Sequence, residues 1–343
     1  MKIAIHHSPG SFSDRWIEYC KARAIPYKIV NAYRSDIVQQ VEDCDAFMWH
    51  HHHGNYKDTL FAKQLLYSLQ TAGKKVFPDF NTGWHFDDKV GQKYLLEAIG
   101  APLVPSYVFY TKKEALDWIE KTTFPKVFKL RGGAGASNVK LVRTKNDARK
   151  FVNRAFGKGF PQFGKMTYLR ERYKKWRNGK DSFIGVCKGF YRLIVPTEFS
   201  KMHSREKGYA YFQDFVPDNE TDFRVKVLHG RCWGFQRKVR KGDFRASGSG
   251  DLIFDNSQLP IEMVKIALTT AQKLSLQSVA FDFIIDKANH KFLIVEMSYG
   301  FGFDKGETEH GYWDTSLNFH TEKFNPFGWM VDDVINDDLY VRL

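Results

Sequence analysis

The sequence predicts an α/β protein that turns α+β toward its C-terminal part: a parallel-sheet N-terminal domain followed by two lobes built on antiparallel strands. Three observations carry this. Residues 1–84 alternate short apolar strands with helical segments, the order that winds a parallel sheet. Residues 124–142 hold two strands around a Gly-rich loop, and residues 278–300 read as a hairpin with one carboxylate on each strand.

Taken in order, residues 2–7 form a first strand. Ser13 and Asp14 cap a helix running to Arg23, with Trp16, Ile17 and Cys20 on one face. Strands follow at 27–32, 46–50 and 75–80, with helices from Ser35 to Val41 and from Lys57 to Ala72, the latter stopped by Gly73. His50, His51, His52 and His53 close the third strand. Loops after parallel strands line binding crevices, so a substrate-facing role and a plain polar strand end both stay open. Adjacent strand residues point to opposite faces, which argues against zinc. Residues 85–122 connect, with a helix from Asp88 and Lys89 stopped by Gly100 and Pro102, a strand at 104–110 and a short helix at 113–121.

The strand at 124–130 carries Lys129 near its end, and Arg131 to Asn138 is rich in small residues. Such a loop lets backbone N–H groups close over phosphate oxygens; a flexible hairpin loop is the alternative. It matches neither the P-loop nor the dinucleotide GxGxxG pattern. A helix at 145–154 and a basic segment at 165–207 follow, then a strand at 209–216 that ends at Pro217. Residues 222–228 alternate cleanly, turn at His229 and Gly230, and pair with 232–239; residues 243–250 form a loop and 261–274 an amphipathic helix. In the hairpin, Asp282 and Glu296 sit among apolar residues; Glu296 and Ser298 share one face, and Leu293, Val295 and Met297 the other. A buried carboxylate must be neutralised, paired or bound to a cation, so a hard-cation site and an ion pair with Arg or Lys are both open.

At 343 residues, 43% hydrophobic, the chain can bury the cores of two or three domains. No apolar run reaches the ~18 residues of a spanning helix, and the N-terminus lacks a signal-peptide pattern. Cys20, Cys44, Cys187 and Cys232 form no CxxC pair and read as reduced thiols of a cytoplasmic protein without a zinc site. The net charge of +13 suits anionic partners. No nucleic-acid motif is visible, so none is expected as a partner; a solvated helix face is the plainer reading of the basic segment, and peripheral membrane contact stays open.

The order of these features resembles the ATP-grasp superfamily, in pattern close to its D-alanine–D-alanine ligase and ribosomal-protein glutamate-ligase branches, over about Asp88 to Phe303. The tail, with residues 296–301, 311–314 and 324–330, is similar to ATP-grasp proteins of surface-polysaccharide biosynthesis. The resemblance implies an N-terminal α/β domain (1–84), a connecting helical segment (85–122), a small lobe with the Gly-rich loop (123–214) and a large lobe with a metal site (215–343).

Carried over by residue, the resemblance implies that Lys89 and Lys129 hold ATP phosphates and that Gly132, Gly133, Gly135 and Ser137 belong to the flexible loop above them. Gln213, Asp214, Phe215 and Val216 match the hinge that reads adenine, with Asp214 where Glu is usual. Asp282, Glu296 and Ser298 match the magnesium ligands, with Ser298 in place of Asn. Arg224, Arg237 and Arg245 match basic positions near the transferred phosphoryl group and substrate carboxylate; Ser247 stands where Asn is common. The implied activity is an ATP- and Mg2+-dependent carboxylate–amine ligation of small-molecule substrates through an acyl phosphate, and a homodimer is compatible with many relatives. Alternatives are a ligase that modifies a protein or peptide, and an ATP-binding module that has lost catalysis, suggested by Ser298 and Asp214.

Overall fold

A computed structural model of the chain describes residues 1–133, 138–162, 165–177, 182–195, 202, 204–239, 244–245 and 251–336. Its elements in order are β1 (Ile3–His6), α1 (Phe12–Ala22), β2 (Tyr27–Val30), α2 (Ile37–Gln40), β3 (Ala46–Met48), α3 (Tyr56–Thr71), β4 (Lys75–Phe77), α4 (Phe80–Gly83), α5 (Lys89–Ala98), β5 (Ser106–Phe109), α6 (Lys112–Lys121), β6 (Lys126–Lys129), β7 (Val139–Val142) and α7 (Lys145–Ala155). They continue with α8 (Lys165–Arg177), α9 (Phe183–Ile194), β8 (Ala210–Asp214), β9 (Thr221–Leu228), β10 (Arg231–Lys238), β11 (Leu252–Ile253), α10 (Ile261–Lys273), β12 (Ser278–Asp286), β13 (Lys291–Ser298), β14 (Tyr312–Trp313), β15 (Phe319–His320) and α11 (Pro326–Ile335). The chain forms two compact units, one of residues 1–86, 94–103 and 218 onward, the other of 87–93 and 104–217.

The first unit contains two sheets. One is parallel, in the order β2-β1-β3-β4, as the alternating strands and helices require. Side chains of Ser11 and Asn55 cap α1 and α3 by accepting backbone N–H bonds. The other sheet is antiparallel, in the order β13-β12-β9-β10-β14-β15, with β11 beside β10. One of its faces is apolar: Phe223, Val225, Val279, Phe281 and Met297 are buried with Met263, Val264 and Ala267 of α10.

Residues 1–84 are not a separate body. Ile3, Trp16 and Phe77 share one core with Leu228, Trp233, Tyr299 and Phe327. Gln277 stitches the sheets together: its Oε1 accepts from Asp79 N–H at 2.8 Å, its Nε2 donates to Val76 O at 2.9 Å, and its own N–H donates to Thr82 Oγ1 at 2.8 Å. The tail from Pro326 is a helix, capped by Asn325, which docks on α1 through Trp16 Nε1 to Met330 sulfur at 3.4 Å and Tyr19 to Asp332 at 2.7 Å.

The second unit is built on an antiparallel sheet, β5-β8-β6-β7. Phe128, Phe212, Ala210 and Val142 bury one face against Ala115 and Ile119 of α6 and Ala148 and Val152 of α7. The strand that sequence placed in a connecting segment is thus the edge strand β5, paired with β8 about a hundred residues later. Between α7 and β8 the basic segment is helical, as the plainer sequence reading had it, and carries two helices, α8 and α9, whose bounds sequence did not give.

Among the described residues, the polar face of the antiparallel sheet contains a wholly buried ion pair. Lys226, with no solvent exposure, donates to the Glu307 carboxylate and to Gly302 O at 2.8 Å, under the ring of Phe301 at 4.6 Å. Burial pushes its ammonium down to about 8, against the pull of Glu307, which also accepts from Trp233 Nε1 at 3.1 Å. Removing one partner strands a buried charge. Glu307→Gln should therefore cost about 3–5 kcal/mol in urea unfolding, whereas Lys226→Met with Glu307→Leu should recover most of the loss; a single variant as stable as wild type would contradict this.

Candidate functional site

The second face of the antiparallel sheet gathers the charged residues singled out by sequence. Asp282 of β12 lies directly across from Glu296 of β13 on one side and Arg224 of β9 on the other. Arg237 of β10 lies opposite Asp222 of β9. Directly opposed residues share a face, so alternation brings Asp222, Arg224, Arg237, Asp282, Glu296 and Ser298 to one side. The hairpin departs from simple alternation at one place. Val295 is an extra residue between the Asp282–Glu296 and Phe283–Ile294 pairs, a bulge that puts Ile294, rather than Leu293 and Val295, with Met297 in the apolar core.

Four of these residues, Asp222, Arg224, Arg237 and Asp282, pair with one another. Arg224 grips Asp282 through Nε to Oδ1 at 2.8 Å and Nη2 to Oδ2 at 3.0 Å. Arg237 grips Asp222 with two bonds of 2.7 Å and reaches Asp282 Oδ2 at 3.0 Å. Burial alone would raise the Asp282 carboxyl, but the two guanidiniums outweigh it and hold it well below the usual carboxylate range. Asp222 has one guanidinium and a like-charged neighbour; burial and Asp282 push it up to about 6 against Arg237. The ion-pair reading of Asp282 is thus realised in this structure. Asp222 was given no site role from sequence, although its place two residues before Arg224 already set it on the same face.

Asp282, Glu296 and Ser298 offer only oxygen donors, which suits a hard cation such as magnesium. Ionised Asp282 meets that requirement, yet its oxygens already accept three guanidinium bonds. A cation would have to take a share of them. Arg245 is half-buried in a two-residue described stretch, and Ser247 lies outside the described residues.

The second unit holds the other set. Lys129, buried, stands across from Tyr211 on the sheet face away from α6 and α7, with Gln213 two residues on. Gln213 Nε2 donates to Ser106 Oγ at 3.0 Å, and Tyr211 donates there at 3.2 Å. Lys89, also buried, donates its N–H to Arg131 O at 3.0 Å and its Nζ to Gly133 O at 2.8 Å, so the first lysine meets the base of the Gly-rich loop. Gly133 has φ +108, where a side chain is strained, and its N–H donates to Asp87 Oδ1 at 2.8 Å. Gly132 adjoins the same carboxylate; Gly135 and Ser137 lie outside the described residues. Asp214 accepts from Lys126 Nζ at 2.6 Å, and Phe215 and Val216 follow it, half-buried. Lys126 and Asp87 are contributors that the sequence reading missed. Lys126 was visible as the second lysine of its strand.

The histidine run ends up beside the metal-candidate strand. His50 Nδ1 accepts from Phe12 N–H at 3.2 Å, and its ring stacks on Phe12 at 3.7 Å. Its Nε2 lies 3.5 Å from where a Cβ on Gly300 would be. His51 is buried against Tyr299, whose hydroxyl donates to His51 O at 2.7 Å. The Nε2 atoms of both are shielded and have no hydrogen-bond partner among the described residues.

Known structures place this architecture. A RimK-domain ATP-grasp protein from Sphaerobacter thermophilus DSM 20745 superposes with a TM-score of 0.58 at 13% identity, over 98% of this chain and 100% of that one. The chain has the ATP-grasp fold. The family described as carbamoyl-phosphate synthase L chain, ATP binding domain, matches residues 88–180, which include Lys89, Lys129 and the Gly-rich loop. D-alanine–D-alanine ligase from Bacillus anthracis superposes with a TM-score of 0.55 at 14% identity, over 100% of this chain and 98% of that one. The biotin carboxylase domain of Hydrogenobacter thermophilus 2-oxoglutarate carboxylase, solved with MgADP and bicarbonate, gives 0.58 at 12% identity over 98% of this chain and 70% of that one. No curated protein matches the sequence.

Burial holds His50 down to about 3, and His51 well below its ordinary value, with the neighbouring histidines adding to the effect. Unfolded, each titrates near ~6.5, so between these values the unfolded chain binds more protons and stability drains as pH falls. Between pH ~7.5 and ~5 each should contribute up to about 2 kcal/mol of loss. His51→Asn should flatten the pH dependence of the urea midpoint over this range; an unchanged slope would show that His51 is not held neutral.

Proposed function

We propose that this ATP-grasp chain is an ATP-dependent carboxylate–amine ligase. The observation that carries the reading is the polar sheet face on which Arg224 and Arg237 converge on Asp282, directly across from Glu296. Such a face offers both charges that phosphoryl transfer needs: carboxylates for a magnesium ion and guanidiniums for phosphate or carboxylate oxygens. Asp282, Glu296 and Ser298 would hold the magnesium, which when bound offsets charge on the nucleotide phosphates. Lys89 and Lys129 would bind phosphate oxygens, Gly132 and Gly133 would anchor the loop over them, and Gln213 to Val216 would receive adenine.

In the reaction, a substrate carboxylate oxygen attacks the γ-phosphorus and ADP leaves. An amine then attacks the acyl carbon of the resulting acyl phosphate, loses a proton, and expels phosphate. Arg224, Arg237 and Arg245 would orient the carboxylate and stabilise developing negative charge. Because His50 Nδ1 accepts a hydrogen bond, its Nε2 carries the proton of a neutral ring. The similarity of the tail to proteins of surface-polysaccharide biosynthesis supports an acid from such a precursor, a uronic acid or an amino acid.

Turnover with Mg-ATP and pooled amino acids and uronic acids, resolving ADP from AMP, tests the reading. ADP and phosphate should appear only when acid and amine are both present; AMP, or no turnover despite ATP binding, would count against a ligase of small molecules. Glu296→Gln should keep the melting temperature and lose at least about a hundredfold in turnover, roughly 3 kcal/mol of transition-state stabilisation. Lys129→Ala should weaken ATP binding at least about tenfold; unchanged affinity would remove Lys129 from the nucleotide site.

A further inference from the structure

The helices α8 and α9 have no part in the site, and they carry the most exposed apolar surface described in the second unit. Within α9, Phe183 is 59% exposed, Ile184 66%, Phe190 58% and Tyr191 57%. With Cys187, also exposed, these fall at i, i+1, i+4, i+7 and i+8, one stripe of the helix. The opposite stripe, with Val186 and Gly189, is buried against Leu169 of α8; a Cβ on Gly189 would lie 2.8 Å from Leu169 Cδ1. The outward stripe is therefore not a core face with its partner missing inside the hairpin. It continues onto α8 through a ring contact of Trp176 with Phe183 at 5.5 Å and of Tyr173 with Trp176 at 5.7 Å, and Tyr173 is itself exposed.

Charge selects the partner. Residues 165–194 contain nine Lys and Arg against Glu171 and Asp181, a net +7 of the chain's +13. Among the described side chains, Arg170, Arg177 and Lys188 are exposed beside the aromatic stripe. We infer that α8 and α9 form a docking surface for an anionic lipid bilayer. Aromatic and aliphatic side chains enter the headgroup boundary while Lys and Arg meet lipid phosphates. At 12 residues α9 is too short to span and lies in the interface. A second copy of the chain would set two strongly positive surfaces against each other, and a nucleic-acid backbone would answer the charge but leave Ile184 and its apolar neighbours in water.

Co-sedimentation of the full chain with vesicles tests this at low salt. One set is phosphatidylcholine alone; the other adds phosphatidylglycerol, whose headgroups supply the negative surface potential that basic segments meet. The protein should bind the anionic set at least about tenfold more strongly. That binding should fall to the neutral level in Phe183→Ser/Ile184→Ser/Phe190→Ser and, separately, in Lys188→Glu/Arg192→Glu, with melting temperature and ATP binding unchanged. Absence of binding by the wild type would overturn the proposal, as would retention by the triple variant. So would a concentration-dependent dimer, without vesicles, that the triple variant abolishes, or binding to random-sequence RNA through these residues with none to vesicles.

Discussion

Asp282 is the hinge of the charged architecture. It is a buried carboxylate, and burying it is tolerable only because Arg224 and Arg237 both bond to it. Those guanidiniums are in turn fixed by their strands, since β9 and β10 flank one another and β9 lies against β12. Asp222 completes the set, so two cations and two anions satisfy one another on this face. The arrangement keeps Asp282 ionised in a low-dielectric setting, the state in which it can serve a metal. On the proposed reading, a magnesium nucleotide would bring a cation for the carboxylate and phosphate oxygens for the guanidiniums, so each group would exchange one partner for another without leaving a buried charge bare.

Around this cluster the rest of the first unit acts as support. The opposite face of the same strands is buried by α10, which fixes the sheet's position. The Lys226–Glu307 pair and Asn256, whose Oδ1 accepts from Gly234 N–H at 2.9 Å and whose Nδ2 donates to Gly311 O at 2.6 Å, tie the segment after β13 back onto β9 and β10. Gln277 and the shared aromatic core bind the parallel sheet to the same frame, and this brings His50 and His51 next to Gly300. The second unit is organised likewise. Its helices cover one sheet face, and Lys129, Tyr211 and Gln213 are left on the other, while Asp87, Lys89 and Asn138 hold the base of the Gly-rich loop.

What could be read from sequence was what local patterning encodes. Alternation marked β9, and runs of β-branched and aromatic residues marked β12 and β13 and set Asp282 and Glu296 in apolar strands; small residues marked the loop after Lys129; the helix α1 was legible, but Ser11 caps it, and Ser13 and Asp14, read as its cap, lie in its first turn. What could not be read depended on partners far along the chain. The pairing of β5 with β8, the Lys226–Glu307 pair and the docking of α11 on α1 join residues 81 or more positions apart, and no local period reports them. The bulge at Val295 was hidden for a related reason, because a one-residue insertion shifts the inward set of a strand without altering its composition. In the basic segment a solvated helix face was legible, but its division into α8 and α9 was not, because the approach of Gly189 to Leu169 is a contact that no local period reports. The basic excess was therefore visible long before its shape.

The most direct measurement of the central idea, that the Asp282 cluster is a metal and nucleotide site, is electron paramagnetic resonance of Mn2+ titrated into the protein with and without ADP. The account predicts that wild type retains Mn2+ tightly only with ADP present, because the nucleotide phosphates must draw the arginines from Asp282, and that Asp282→Asn loses this binding while remaining folded. Equal Mn2+ retention by Asp282→Asn, or none by the wild type with ADP bound, would contradict it.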